Sequence, residues 1–157
     1  MSGESLSKIY DIQGEVGNVT GEYKYSLDSK GRIAIPVKFR AELSNVIYVS
    51  KGVDKSLFVY SEESWRAIED RLAQLPISRA RRLQLTLLPS ATRFDLDAQG
   101  RVLLPQALRT YAGLDKDVVV LGVGNRAEIW NEETWRRFEL EELSRENMLQ
   151  AMDELGY

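Results

Sequence analysis

One phrase is written twice in this chain. "LDSKGRIAIPVKFR" occupies residues 27–40 and "LDAQGRVLLPQALR" residues 96–109. At a constant offset of 69 residues, Asp28 meets Asp97, Gly31 meets Gly100, Arg32 meets Arg101, Pro36 meets Pro105 and Arg40 meets Arg109. The likeness continues: "VYSEESW" at residues 59–65 answers "IWNEETW" at residues 129–135, at an offset of 70 after one inserted residue. A repeat on this scale requires two homologous halves built from the same supersecondary unit.

The unit reads as strand, tight turn, strand, short helix, strand, turn, strand, longer helix. In the first half, strands over residues 23–27 and 32–35 flank a turn that Asp28 opens and Gly31 closes. Asp accepts hydrogen bonds from the backbone that follows it, and Gly tolerates positive φ. Pro36 and Pro105 fit the start of a helix, where no acceptor awaits the missing N–H. "NVIYVS" and "LFVY" supply two more strands around the turn "GVDK". Ser61 and Asn131 fit N-caps, each followed by two glutamates that suit the helix dipole. The helices they open are expected over residues 62–75, where Pro76 stops the chain, and over residues 132–150. A linking helix, "SRARRLQLTLL" from Ser78, carries Leu83, Leu87 and Leu88 on one face.

The expected organisation is therefore an extension over residues 1–20, a first repeat over 21–77, a linking helix over 78–89, and a second repeat over 90–157 ending in an acidic helix. Strands this short cannot each enclose a large core. The expected fold class is α+β, a tandem pseudo-symmetric arrangement of small interlocking β-barrels flanked by α-helices.

Composition removes most chemistry. The chain has neither cysteine nor histidine, which excludes disulfides, thiolate nucleophiles, imidazole bases and almost every zinc site. No apolar run approaches the roughly 18 to 20 residues of a membrane span, and the first 20 residues lack the apolar centre of a secretory signal. A soluble, cytoplasmic protein without cofactor or metal is expected. A net charge of −3 opposes phosphate binding when taken over the whole chain, but it is unevenly spread. Residues 131–157 hold three arginines against eight acids, a net of −5, whereas residues 24–40 hold Lys24, Lys30, Arg32, Lys38 and Arg40 against Asp28 alone, a net of +4.

The paired Asp-x-x-Gly-Arg motifs with their following prolines, together with "GEYKYSLDSKGRIAIPVKFR" and "LDAQGRVLLPQALRTYAGLDKDVVVLGVGNRAEIWNEETW", resemble the MraZ family over residues 21–135. The resemblance implies the swapped-hairpin barrels of the AbrB-like fold group. It further implies a nucleoid-associated transcription regulator of the bacterial division and cell-wall gene cluster, which binds repeated sites in double-stranded promoter DNA. Members assemble into homo-oligomeric rings, commonly octamers. Carried over by motif, Arg32 and Arg101 are the leading DNA contacts, with Asp28 and Asp97 shaping or pairing with them. The departures are an extension before Gly21 and Gln99 in place of Lys30, so the halves should bind unequally.

Each candidate has a structural reading beside the functional one. Arg32 and Arg101 can pair with Asp28 and Asp97 to hold the turns; a paired guanidinium still keeps unused donors for phosphate or a guanine edge. Lys30 shares a turn with Arg32, whereas Lys24 and Lys38 can be solvated. Arg40 and Arg109 can serve DNA or internal packing. Arg79, Arg81 and Arg82 read as partners for acids of the helix opened by Glu62 or of another subunit. Trp65 and Trp135 read as core or subunit anchors. "SLSK" at residues 5–8 and "GVGN" at residues 122–125 lack the companions and context of enzyme motifs. Two rival functions remain: a ring-forming protein-interaction scaffold using the acidic helix, and an antitoxin-like DNA-binding module of the AbrB group.

Overall fold

The computed structural model describes residues 18–156; the greater part of the extension expected before Gly21 lies outside the described residues. The first half runs β1 (Val19–Ser26), β2 (Arg32–Ala34), α1 (Val37–Leu43), β3 (Val46–Lys51), β4 (Leu57–Ser61), α2 (Glu62–Gln74) and α3 (Ile77–Leu87). The second repeats it as β5 (Thr92–Asp95), β6 (Arg101–Leu103), α4 (Gln106–Tyr111), β7 (Asp117–Gly124), β8 (Ala127–Asn131), α5 (Glu132–Glu142) and α6 (Arg145–Glu154).

A six-stranded sheet of order β1-β7-β8-β4-β3-β5 holds most of the strands, and β2 pairs with β6 in a separate ribbon. Exchanging the halves maps the sheet order onto itself, so a pseudo-two-fold passes between β4 and β8. All six pairings are antiparallel. The first strand of each half lies against the third strand of the other: Tyr23 of β1 faces Val120 of β7, and Phe94 of β5 faces Ile47 of β3. The motif turns are closed locally, with the Asp28 N–H donating to the Arg32 carbonyl at 3.0 Å. Beyond that point the chain leaves one sheet for another, so the turn joins strands that find their partners in the opposite half.

Why the middle strands read as continuous apolar runs follows from their burial on both faces. Ile47, Val49, Leu57, Val59, Val118, Val120, Ala127 and Ile129 point to one side, where Ile33 and Val102 of the ribbon and Phe39, Leu43 and Leu108 of the short helices complete the main core. The alternate residues point to the other side. There Phe58 and Tyr60 meet Trp65 and Leu72 of α2 and Leu87 of α3, while Val119, Leu121 and Trp130 meet Trp135 and Phe138 of α5. Ribbon and short helices, sheet, and long helices thus form three layers.

Two expectations are corrected. The single helix expected over residues 132–150 is two helices, because Ser144 takes an N-cap conformation with φ −64° and ψ 162° and accepts the Asn147 N–H at 3.3 Å. Asn147 also ties back to the Glu142 carbonyl at 2.9 Å, and the acids ending α5 lie at the negative end of its dipole. Leu83 of α3 and Leu88, the C-cap just past its end, do not share the burial of Leu87; they are 40% and 38% exposed, and Ala80 is the other residue of that helix that packs inward. Pro36 and Pro105 stand at the N-cap positions, with φ of −52° and −61°.

Candidate nucleic-acid interface

Each motif loop is organised by its aspartate. Asp28 Oδ1 accepts the N–H groups of Lys30 and Arg32 at 2.9 and 2.8 Å, and Oδ2 accepts Arg32 Nε–H at 2.6 Å. Asp97 repeats the pattern with Gln99 and Arg101 at 2.9 and 2.8 Å, and Arg101 Nε–H at 2.9 Å. The fourth residues, Gly31 and Gly100, have φ of 88° and 74° and close the turns by donating to the Asp carbonyls at 3.0 and 2.9 Å. Bonds from the Arg32 backbone N–H, then from its side chain, hold the Asp28 carboxyl at about 2 against an ordinary 3.8. Asp97 is lowered too, again chiefly by the backbone N–H of its own arginine. Both loops therefore carry fixed carboxylates at neutral pH.

The ribbon sets the loops side by side. Ala34 faces Arg101 and Arg32 faces Leu103 across β2 and β6, which brings Arg101 Nη1 to 4.0 Å from Asp28 Oδ2. The two arginine side chains are 30% and 31% exposed. Nε of each is committed to its aspartate, and the two Nη groups remain. Those of Arg32 have no hydrogen-bond acceptor among the described residues, whereas Arg101 Nη2 donates to Gln99 Oε1 at 3.1 Å. Paired forks of this kind suit the oxygens of a phosphate or the edge of a guanine.

Of the remaining basic candidates, Lys30 lies exposed at the tip of the first loop and Lys38 is exposed on α1. Lys24 lies elsewhere. It faces Val119 across the β1–β7 pair, so it projects toward α5 on the side away from the ribbon, where its Nζ is 2.8 Å from Glu132 Oε1. Glu22 continues this seam: it accepts Arg136 Nη2 at 2.7 Å and Trp135 Nε1 at 2.9 Å. Arg79, Arg81 and Arg82 are exposed and make no ion pair with α2 or any other described element; α2 spends Glu62 on its own Arg66 at 2.8 Å. Trp65 is a core anchor, stacked on Tyr48 at 5.8 Å, and Trp135 packs on Trp130 at 5.2 Å. Residues 122–124 end β7, and Asn125 and Arg126 turn the chain into β8, with the Val123 N–H donating to the Arg126 carbonyl at 2.9 Å.

The family model described as "MraZ protein, putative antitoxin-like" matches the chain twice in tandem, over residues 19–86 and 87–155. The chain belongs to the MraZ family. It is 44% identical over 139 residues to the transcriptional regulator MraZ of Syntrophomonas wolfei, covering 87% of this chain and 97% of that protein. The MraZ regulator of Caldicellulosiruptor saccharolyticus is 45% identical with the same coverage. That of Clostridium tetani is 41% identical over 138 residues. The tandem match fits the pseudo-symmetric AbrB-like fold, and transcriptional regulation, the role these relatives are named for, is not an enzymatic one.

Arg40 and Arg109, which the repeat equates, occupy positions that no strand or charge pattern specifies in this MraZ chain. The Arg40 side chain lies against Gly100, and that of Arg109 against Gly31. Arg109 Nε donates to the Leu104 carbonyl at 3.0 Å, while Arg40 Nε is buried without an acceptor among the described residues. Two backbone groups of the site also escape sequence reading. The Leu104 N–H donates to the Gly31 carbonyl and the Ile35 N–H to the Gly100 carbonyl, each at 3.0 Å. Among the described residues, no group of three or more His, Cys, Asp or Glu is placed to hold a metal ion. None of their helices is long and apolar enough to cross a membrane.

Proposed function

We propose that this chain is a DNA-binding transcriptional regulator that engages double-stranded promoter DNA through its two Asp-x-x-x-Arg loops. The single observation that carries this reading is the juxtaposition of Arg32 and Arg101 at the ribbon, Nε of each fixed by a carboxylate, with the Nη groups of Arg32 lacking an acceptor among the described residues and those of Arg101 only partly engaged by Gln99 and Asp28. Such forks are held in one orientation before any ligand arrives, so little rotamer freedom is lost on binding. Lys30 adds positive charge at the tip of the first loop. The acidic α5–α6 segment begins on the other face of the sheet, where α5 covers Trp130, so phosphate is steered to the ribbon face. The names of the relatives support the same role.

The finer reading is multivalent. Its promoter sites are short repeats controlling the division and cell-wall gene cluster, and the protein meets them as a homo-oligomeric ring, an octamer in the commonest family arrangement. Two surfaces favour a head-to-tail assembly. On α3, Ile77 and Leu85 are 70% and 58% exposed beside three arginines that have no ion-pair partner among the described residues, and on the acidic α5–α6 segment Leu140 and Leu155 are 81% and 77% exposed. Opposite charge and matching apolar character suit a heterologous contact, which closes into a ring when its rotation allows. One chain makes few phosphate contacts, and a ring multiplies them through effective concentration.

The test is binding of wild type, Arg32→Ala and Arg101→Ala to repeat-containing and scrambled promoter DNA over a range of salt, with light scattering monitoring assembly. Specific binding should fall in both variants at constant assembly. Arg32→Ala should lose more, because Lys30 has no basic counterpart at Gln99 and Arg101 already gives one N–H to Gln99. Each lost phosphate contact should lower the log–log salt slope by about 0.9. Unaltered binding in both variants, or none in the wild type, would overturn the reading and leave an interaction scaffold.

A further inference from the structure

The reciprocal placement of Arg40 and Arg109 is not absorbed by the loops' own geometry. Gly31 opens the way for one and Gly100 for the other. A Cβ on Gly31 would stand 2.8 Å from Arg109 Cζ and 2.9 Å from its Nε, and a Cβ on Gly100 would overlap the Arg40 guanidinium and lie 2.7 Å from its Cδ. Each glycine is therefore required twice: for its positive φ and for the arginine that packs against it. Arg40 follows the first motif in sequence yet touches the second loop, and Arg109 does the reverse. The backbone crosses in the same sense. Gly31 is held by the Leu104 N–H, and Leu104 in turn accepts Arg109 Nε, so one compact unit of the second half underlies the first loop. Gly100 is held by Ile35 and Arg40 of the first half.

We infer that Arg40 and Arg109 are crossed positioning residues: Arg40 sets the loop that presents Arg101, and Arg109 sets the loop that presents Arg32. The inference rests on the DNA-binding reading for its consequence, but its geometry stands without it. Each guanidinium is wedged against a loop backbone, half-buried, and acts on DNA through the arginine of the other half. The halves consequently cannot be tuned independently. A change at Arg40 is felt at the second loop, although the sequence would assign it to the first.

The arrangement is tested on the full chain with Arg40→Met and Arg109→Met, which keep the apolar stem and remove the guanidinium. Without DNA, hydrogen exchange read by mass spectrometry should rise severalfold in the peptide spanning residues 97–101 for Arg40→Met, and in the peptide spanning residues 28–32 for Arg109→Met. With promoter DNA, adding Arg40→Met to Arg101→Ala should change affinity by less than twofold, whereas adding it to Arg32→Ala should multiply the two losses. Arg109→Met should show the mirror pattern. Faster exchange in the loop of the same half, or losses that multiply with both loop arginines as for a direct phosphate contact, would overturn the inference. If Arg40→Met fails to fold, Arg109→Met decides by itself. If wild type does not bind DNA, the functional reading fails while the exchange data still decide the crossed support.

Discussion

Cutting the chain between residues 88 and 89 should leave neither half able to fold as a monomer. The residues before the cut would keep one native strand pair, β3 with β4, and those after it one, β7 with β8. An isolated hairpin is marginal in water. The first half would lose β7 from β1, β8 from β4, β5 from β3 and β6 from β2. Its share of the main core includes Ile33, Phe39, Ile47, Leu57 and Val59, all fully buried in the intact chain. Returning just these five side chains to water costs about 8–15 kcal/mol at about 1.5–3 kcal/mol each. That equals the whole stability of about 5–15 kcal/mol typical of a domain. The pseudo-two-fold leaves one escape, since a second copy of the same half can stand in for the missing one. Each fragment, followed by far-UV circular dichroism and size-exclusion with light scattering, should therefore be unfolded or a dimer whose melting temperature rises with concentration. Mixing the two should restore the spectrum of the intact chain. A half that melts cooperatively as a monomer, at a temperature independent of concentration, would refute the argument.

Three further outcomes follow from particular contacts. Ser144→Ala removes a cap of about 1 kcal/mol, but α6 buries no residue, so amide exchange should quicken over residues 145–149 while the global melting temperature stays fixed. Glu128 is 8% exposed and accepts from Arg126 Nε and Nη2 at 3.0 and 2.7 Å and from Trp130 Nε1 at 3.0 Å. Glu128→Ala strands those donors and should cost about 1.5–3 kcal/mol in urea unfolding, with Glu128→Gln costing less. The Asp28 carboxyl is depressed from 3.8 to about 2, so its contribution to stability is complete above pH 3.8 and lost as pH falls through about 2. Carboxyl carbon shifts should give a midpoint near the lower value, and a midpoint near 3.8 would show that the Arg32 bonds do not form.

The chain announces its repeat, its turns and its caps, because those depend on residues close in sequence. Asp28 and Gly31 specify a turn by themselves, and Ser61 and Asn131 accept the N–H groups of Ser64 and Thr134 as their positions suggest. The crossing of the halves is not announced in that way. β1 and β7 pair residues that lie between 91 and 105 positions apart in sequence, and an alternating strand such as "EYKYS" carries the same pattern whichever partner it meets. Register of that kind is decided by which arrangement buries Tyr23 and Tyr25 with Val118 and Val120, a property of the assembled core. The break in the last helix was legible, since Ser144 followed by Arg145, Glu146 and Asn147 is a capping pattern, but continuous helical polarity on either side obscures it.

The same distinction separates the arginines. Arg32 and Arg101 lie within four residues of the carboxylates that hold them, so sequence spacing alone gives their pairing. Lys24 sits on the same basic segment as Arg32, yet the two-residue period of β1 turns it to the α5 face, where Glu132 takes it. Net charge along a segment thus overstates the charge available at one surface of a sheet. Arg40 and Arg109 are the harder case. Each is in step with the repeat, but the loop it supports lies about 60 residues further on for Arg40 and about 78 residues back for Arg109. Duplicated positions therefore identify which residues the fold needs twice, while the strand exchange decides which copy each of them serves.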